Sequence, residues 1–158
     1  MKNTNRYNNY ITSGEYVNPL RQEWVNYLNT FNWDWFATLT FKNQPRTYTA
    51  KNEAKRWLNT IQRQEKRRIG YYMCMEFTKQ GIPHLHLLMG NLEGVRRDKY
   101  WKLWFEKNGR ARILPFEKNK GVGYYLTKYI VKDEYVNFGI WEVGNLELLR
   151  QQSLPVGT

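Results

Sequence analysis

Residues 70–90 read GYYMCMEFTKQGIPHLHLLMG. Two apolar, aromatic-rich runs flank Lys79-Gln80-Gly81, a polar glycine-containing break. The pattern predicts a β-hairpin with strands over 71–77 and 84–89. Side chains alternate along a strand, so His84, His86 and Leu88 share one face while Leu85, Leu87 and Met89 take the other. Pairing about the turn sets Glu76 opposite or nearly opposite His84, within ~5.5 Å across the strands. Glu76 is the only acid between Arg67 and Asn91, and the chain has 2 histidines in all.

Two neutral imidazoles on one face, with a carboxylate beside them, suit a divalent transition metal. Such a set leaves coordination positions open, which belongs to catalytic sites and not to closed structural ones. A cation held there can polarise and orient a phosphoryl oxygen. The plainer alternative is a His–Glu surface cluster that binds nothing.

Working outward, Trp33 to Phe41 reads as a buried strand centred on FATLTF (36–41). A loop with Pro45 follows. Thr49 is placed to cap a helix over about 50–67, with Glu53 near capping-box spacing. Beyond the hairpin come a helix over about 96–107, stopped by Asn108-Gly109, and a strand over 110–116. A helix over about 122–132 and a short strand near 136–141 complete the series. Upstream, Asn18 caps a helix that has Pro19 at its first position and runs to about Phe31. The order β-α-β-β-α-β-α is that of a split βαβ, ferredoxin-like α+β fold. It predicts an antiparallel sheet with helices on one face and the other face open to a ligand.

The 158 residues fit one domain over 1–158. Its core is expected at about 33–142, after an N-terminal extension with a helix (1–32) and before a C-terminal tail (143–158). Hydrophobic residues at 41% and charged residues at 25% exclude a disordered chain. No run nears the ~18 apolar residues of a membrane span, and 1–10 has no secretory character. A single cysteine, Cys74, excludes a Cys-based zinc site and fits a reducing, intracellular location.

Lys and Arg number 25 against 14 acids, a net of +11, which calls for an anionic partner. The excess sits in two blocks, 46–68 at +6 and 96–132 at +8. Arg46, Lys51, Lys55, Arg56, Arg96 and Arg97 are the candidate phosphate contacts. Aromatic residues at 16% supply stacking surface of the kind that holds single strands.

The last helix reads GVGYYLTKYIVKD. Tyr125 and Tyr129 stand at i and i+4 and share a helix face. Lys128 follows Tyr125 by three residues and Lys132 follows Tyr129 by three. A phenol with an ordinary pKa of ~10 needs such help to become a nucleophile. By itself this pattern is more often that of core and interface tyrosines than of a nucleophile.

Three stretches in order now carry a resemblance. FATLTF at 36–41, the run from Glu76 to His84-Leu85-His86, and the run from Tyr125 to Asp133 resemble the three motifs of the HUH endonuclease superfamily, specifically its rolling-circle replication initiators (Rep proteins). The resemblance implies a five-stranded antiparallel sheet with the His84–His86 strand central and the tyrosine helix alongside. It implies a divalent cation, Mn²⁺ or Mg²⁺, on His84, His86 and Glu76. It implies attack by Tyr129 first, or Tyr125 second, on single-stranded origin DNA, presented in a hairpin. A 5′-phosphotyrosine and a free 3′-hydroxyl result, and the step can be reversed to join ends. The setting implied is the cytoplasm of a bacterial or archaeal host of a plasmid or virus. There is no GxxxxGK[ST] nucleotide loop and no helicase domain is expected, so unwinding falls to a helicase partner or to supercoiling. The alternatives are a transposase or relaxase of the same superfamily, and a non-catalytic RRM-like single-strand binder. The latter needs stacking aromatics on the central strand, where His84 and His86 stand instead.

Overall fold

The computed structural model describes residues 19–130 and 141–151. The elements run α1 (Pro19–Leu28), β1 (Trp35–Leu39), α2 (Thr47–Glu65), β2 (Gly70–Phe77), β3 (Pro83–Gly90), α3 (Arg97–Lys107), β4 (Ala111–Pro115), α4 (Gly121–Ile130) and β5 (Trp141–Gly144), then a 3-10 turn (Leu146–Leu149). The five strands form one antiparallel sheet in the order β4-β1-β3-β2-β5, with the histidine strand β3 at its centre. This is the α+β, ferredoxin-like order, with β5 added beside β2.

The two sheet faces bury different sets. Trp35, Ala37, Leu39, Met73, Met75, Leu85, Leu87 and Met89 lie under α2 and α3, with Trp57, Ile61, Tyr100 and Trp104. Phe36, Tyr72, Cys74 and Leu88 lie under α1 and α4, with Val25, Leu28, Val122 and Tyr125. Helices therefore cover both faces, where the sequence pattern predicted one. α1 and α4 are only 10 residues each, and they shield only one end of their face. On that face Phe36, Leu88 and Tyr72 are buried, whereas Thr38, Glu76 and His84 at the other end are only half-buried.

Helix α2 starts two residues before the predicted cap Thr49. Arg46 is its N-cap in an extended conformation, with no side-chain capping bond. Its carbonyl accepts from the Ala50 amide at 2.9 Å, and Glu53 pairs with Arg56 and Lys107 instead of closing a capping box. Solvent satisfies the first amides at such an exposed start.

The edge of β4 is closed by side chains. Arg97 Nη1 donates to the Ile113 carbonyl (3.2 Å), and Trp101 Nε1 donates to the Ala111 carbonyl (2.7 Å). These carbonyls would otherwise invite a strand from another chain.

The predicted tail begins too early. β5 lies at Trp141–Gly144 and pairs with Tyr71–Cys74, and Leu146 and Leu149 are buried against the α1 and α4 side. Asn18, residues 136–140 of the predicted strand and residues 152–158 of the predicted tail lie outside the described residues. Gly70 and Gly90 pair across the β2–β3 ladder, and Leu149 fills the notch that they leave. A Cβ on Gly90 would stand 2.5 Å from the Asn32 carbonyl and 2.7 Å from Leu149, so neither site has room for a side chain. Leu149→Ala is expected to destabilise the fold by about 2–5 kcal/mol, read as a lower urea midpoint at unchanged slope. An unchanged midpoint would mean that the 3-10 turn is only an appendage.

Candidate active site at the histidine end of the sheet

The hairpin positions the first group. Glu76 pairs directly with His84, as the alternation required, and Cys74 pairs with His86. The connecting turn closes with Thr78 donating its amide to Ile82 (2.9 Å) and Gly81 donating to Thr78 (2.8 Å). Gly81 has φ +78°, a conformation that glycine adopts without strain. Gln44, in the loop after β1, donates to the carbonyls of Gln80 (3.3 Å) and Gly81 (3.2 Å) and so ties the hairpin tip to β1.

His86 is buried and held at both ring nitrogens. Its Nε2 lies 3.0 Å from Glu76 Oε2, and its Nδ1 lies 3.3 Å from Thr38 Oγ1. The carboxylate only accepts, so Nε2 carries the proton toward Glu76 and Thr38 donates to Nδ1. A hydroxyl can also accept, so Thr38 serves the other tautomer equally well. Phe36 lies nearly parallel to the imidazole, 6.0 Å between centroids at 15°. Burial, reinforced by neighbouring His86 and opposed by Glu76, lowers the pKa of His84 and favours its neutral, ligand-competent form. Cys74 shares this face, and burial pushes its thiol up to about 12, so it is protonated at neutral pH.

Among the described residues, no three of His, Cys, Asp and Glu are gathered into a group that could hold a metal ion. Two donors already meet, Glu76 and His86. His84 shares their face, and its backbone pairs with that of Glu76. The donor chemistry suits a hard-to-borderline divalent cation, which would take the place of the Glu76–His86 hydrogen bond.

Helix α4 lies on this same face. The Tyr125 ring packs against Phe36 (5.1 Å) and Phe116 (4.8 Å), so one aromatic ring separates it from His86. Tyr125 is only 2% exposed. Its hydroxyl accepts from the Glu117 amide (2.8 Å) and donates to the Pro115 carbonyl (3.3 Å). Burial raises its pKa above the ordinary tyrosine value. Tyr124 meets Tyr125 edge-on and carries the Lys120 ammonium over its ring at 4.9 Å. Lys128 and Tyr129 lie in the last turn of α4. Lys132 and Asp133 lie outside the described residues.

Most of the candidate phosphate contacts stand elsewhere. Lys51 and Lys55 both hold Glu142 of β5, at 3.3 and 3.0 Å. Burial resists ionisation of Glu142, but the two ammonium groups outweigh it and lower its pKa. Arg56 pairs with Glu53, Arg96 pairs with Asp98 (each 2.6 Å), and Arg97 caps the β4 edge. These five belong to α2, to α3 and to its N-cap Arg96, and the two helices cover the sheet face opposite the histidines. Arg46 alone stands in the loop tied to the hairpin tip.

Two residues of the site escaped the sequence reading. Thr38 pairs with His86 on one side and with Arg112 on the other. Arg112, Thr38, His86 and Cys74 thus form one row on the histidine face. Strand spacing puts the Arg112 backbone roughly 10 Å from that of His86. The alternation of Arg110 and Arg112 in RARILPF was the signal, but it meant nothing until β4 was known to pair with β1.

A His-x-His strand at the centre of a five-stranded antiparallel sheet, an acid on its hairpin partner and a tyrosine-bearing helix on the same face form the arrangement of a HUH-type domain. Residues 34–134 match the Replication-associated protein ORF2 family, and the chain belongs to that family. Membership makes it a replication-associated protein that works on DNA, consistent with a rolling-circle initiator of the HUH type. No curated protein and no solved structure matches the chain. No helix among the described residues is long and apolar enough to cross a membrane.

Proposed function

We propose that this protein is a metal-dependent DNA nickase and ligase that initiates rolling-circle replication, with Tyr129 as its nucleophile. The observation that carries this reading is that α4 packs on the sheet face that presents Glu76, His84 and His86, within one ring of His86. Tyr125 shares that face, but its hydroxyl is fully engaged with backbone and its ring is buried, which suits a residue that fixes the helix. Tyr129 is the tyrosine left for chemistry.

Tyr129 Oη attacks a backbone phosphorus of single-stranded DNA. The new P–O bond forms as the P–O3′ bond breaks, and the proton lost by the phenol ends on the departing 3′-oxygen. The product is a 5′-phosphotyrosine with a free 3′-hydroxyl, and the same step run backward joins ends. His84, His86 and Glu76 would hold Mn²⁺ or Mg²⁺, which supplies polarisation of the scissile phosphate's oxygen. Thr38 orients His86, and Lys132 favours the phenolate of Tyr129, as Lys128 would that of Tyr125. Arg112 and Arg46 flank the site and receive neighbouring phosphates. The test is transfer of DNA to protein: with Mn²⁺ and a diverse pool of single-stranded oligonucleotides, a covalent adduct must appear on a denaturing gel.

Thr38→Val keeps the size of the side chain and removes the hydroxyl behind His86. Orienting partners of metal-binding histidines are worth about 10–100-fold in metal affinity or activity. Cleavage by Thr38→Val is therefore expected to need about 10–100-fold more Mn²⁺, with near-normal rates at saturation. A wild-type Mn²⁺ titration curve would remove Thr38 from the site.

A further inference from the structure

Outside the active site, α3 exposes two large apolar rings. On α3, Trp101 and Phe105 stack face to face, with centroids 5.0 Å apart and rings 10° from parallel. Trp101 is 39% exposed and Phe105 48%. The indole N–H of Trp101 is spent on the β4 edge, which explains its position and pins the ring. Phe105 has no such role, and its ring stands in water at an energetic cost.

The surroundings favour one kind of occupant. Residues 96–112 hold seven basic and two acidic residues, a net of +5. Arg110 and Arg112 bracket Ala111, the residue whose carbonyl holds Trp101. Register places this end of β4 level with the histidines: Ala111 pairs with Leu39, and Leu39 pairs with Leu85. A cationic edge strand thus lies between the site on one sheet face and an aromatic pair beside the other. Cationic tracks with stacking rings are how proteins hold single strands irrespective of sequence.

We propose that single-stranded DNA leaving the active site crosses the β4 edge past Arg112 and Arg110 and stacks its bases on the Trp101–Phe105 pair. This second contact rests on the nickase reading for the direction of the strand. It makes binding depend on length, because a short oligonucleotide fills the site without reaching the platform.

The experiment measures binding of fluorescently labelled oligothymidylates of about 8 and about 20 nucleotides, lengths that bracket the footprint of a small single-strand-binding fold. Divalent metal is left out, so no chemistry intervenes. Phe105→Ala leaves the Trp101–Ala111 bond in place and is the primary variant. The Trp101→Ala/Phe105→Ala double variant, checked for an unchanged thermal melt, completes the set. Loss of one stacked base is worth roughly tenfold in affinity. Phe105→Ala is expected to weaken the long oligonucleotide by roughly tenfold and the short one by less than about twofold. Equal affinities of variant and wild type for the long oligonucleotide would overturn the platform. A wild type that binds neither oligonucleotide would overturn both the platform and the nickase reading. Length-dependent loss in a protein that forms no adduct would leave the platform standing and remove only the chemistry.

Discussion

Tyr129→Phe is expected to abolish the covalent protein–DNA adduct, while Tyr125→Phe retains it. Removing the attacking oxygen takes away the bond-forming atom, and nucleophile deletions of this kind cost roughly a thousandfold or more. Tyr125 stands differently. Its hydroxyl answers the Glu117 amide and the Pro115 carbonyl, and its ring fills the space between Phe36 and Phe116. Phenylalanine keeps the packing but strands a buried amide, a loss of about 1–3 kcal/mol. Tyr125→Phe is therefore expected to melt earlier yet still to form adduct below its melting point. An adduct that survives either single change but not the double variant would show that both tyrosines act, and would overturn the assignment to Tyr129 alone. Tight DNA binding with no adduct from the wild type would turn the protein into a binding module.

His86→Ala is expected to eliminate cleavage and, with it, the thermal stabilisation that Mn²⁺ gives the wild type. A ligand at a hundredfold excess over its Kd adds about 2.7 kcal/mol to stability, a shift of several degrees in a domain of this size. His86 is the more severe position because it is buried and held between Thr38 and Glu76. Its loss also leaves a cavity, so His84→Ala provides the control: that side chain is only half-buried, and its removal should spare the fold. Both variants should lose the Mn²⁺-dependent shift in a melting experiment. Full activity of the wild type after exhaustive chelation would sink the metal-dependent mechanism, whatever the variants do.

What the sequence made legible was local. The pairing of Glu76 with His84 follows from period-two alternation about a five-residue turn, and no distant strand is needed to deduce it. The order of elements followed from the same periodicities, whereas the central place of β3 came with the family resemblance. The features it hid are those that depend on partners far along the chain. Thr38 becomes a support for His86 only because β1 lies beside β3, and Arg112 joins the row only because β4 lies beside β1. Basic residues on α2 and α3 look like those near the site until the packing of the sheet decides which face each helix covers. Leu146 and Leu149 belong to a run too short to show a period, so their burial was invisible. The start of α2 misled for another reason: a solvated helix end does not require the capping side chain that Thr49 seemed to offer.

The pairing of Gly70 with Gly90, with Leu149 in the notch between them, bears on how the protein is made. The hairpin that gathers Glu76, His84 and His86 joins residues close in the chain and can close soon after it leaves the ribosome. Helix α4, strand β5 and Leu149 emerge some forty to sixty residues later, several seconds at ordinary rates of translation. Until then the outer edge of β2 stays unpaired, and the apolar end of the histidine face has only α1 to cover it. On the nickase reading, the candidate ligand hairpin is thus assembled ahead of the helix that carries the proposed nucleophile, and a nascent chain would be able to hold a cation before it could cut.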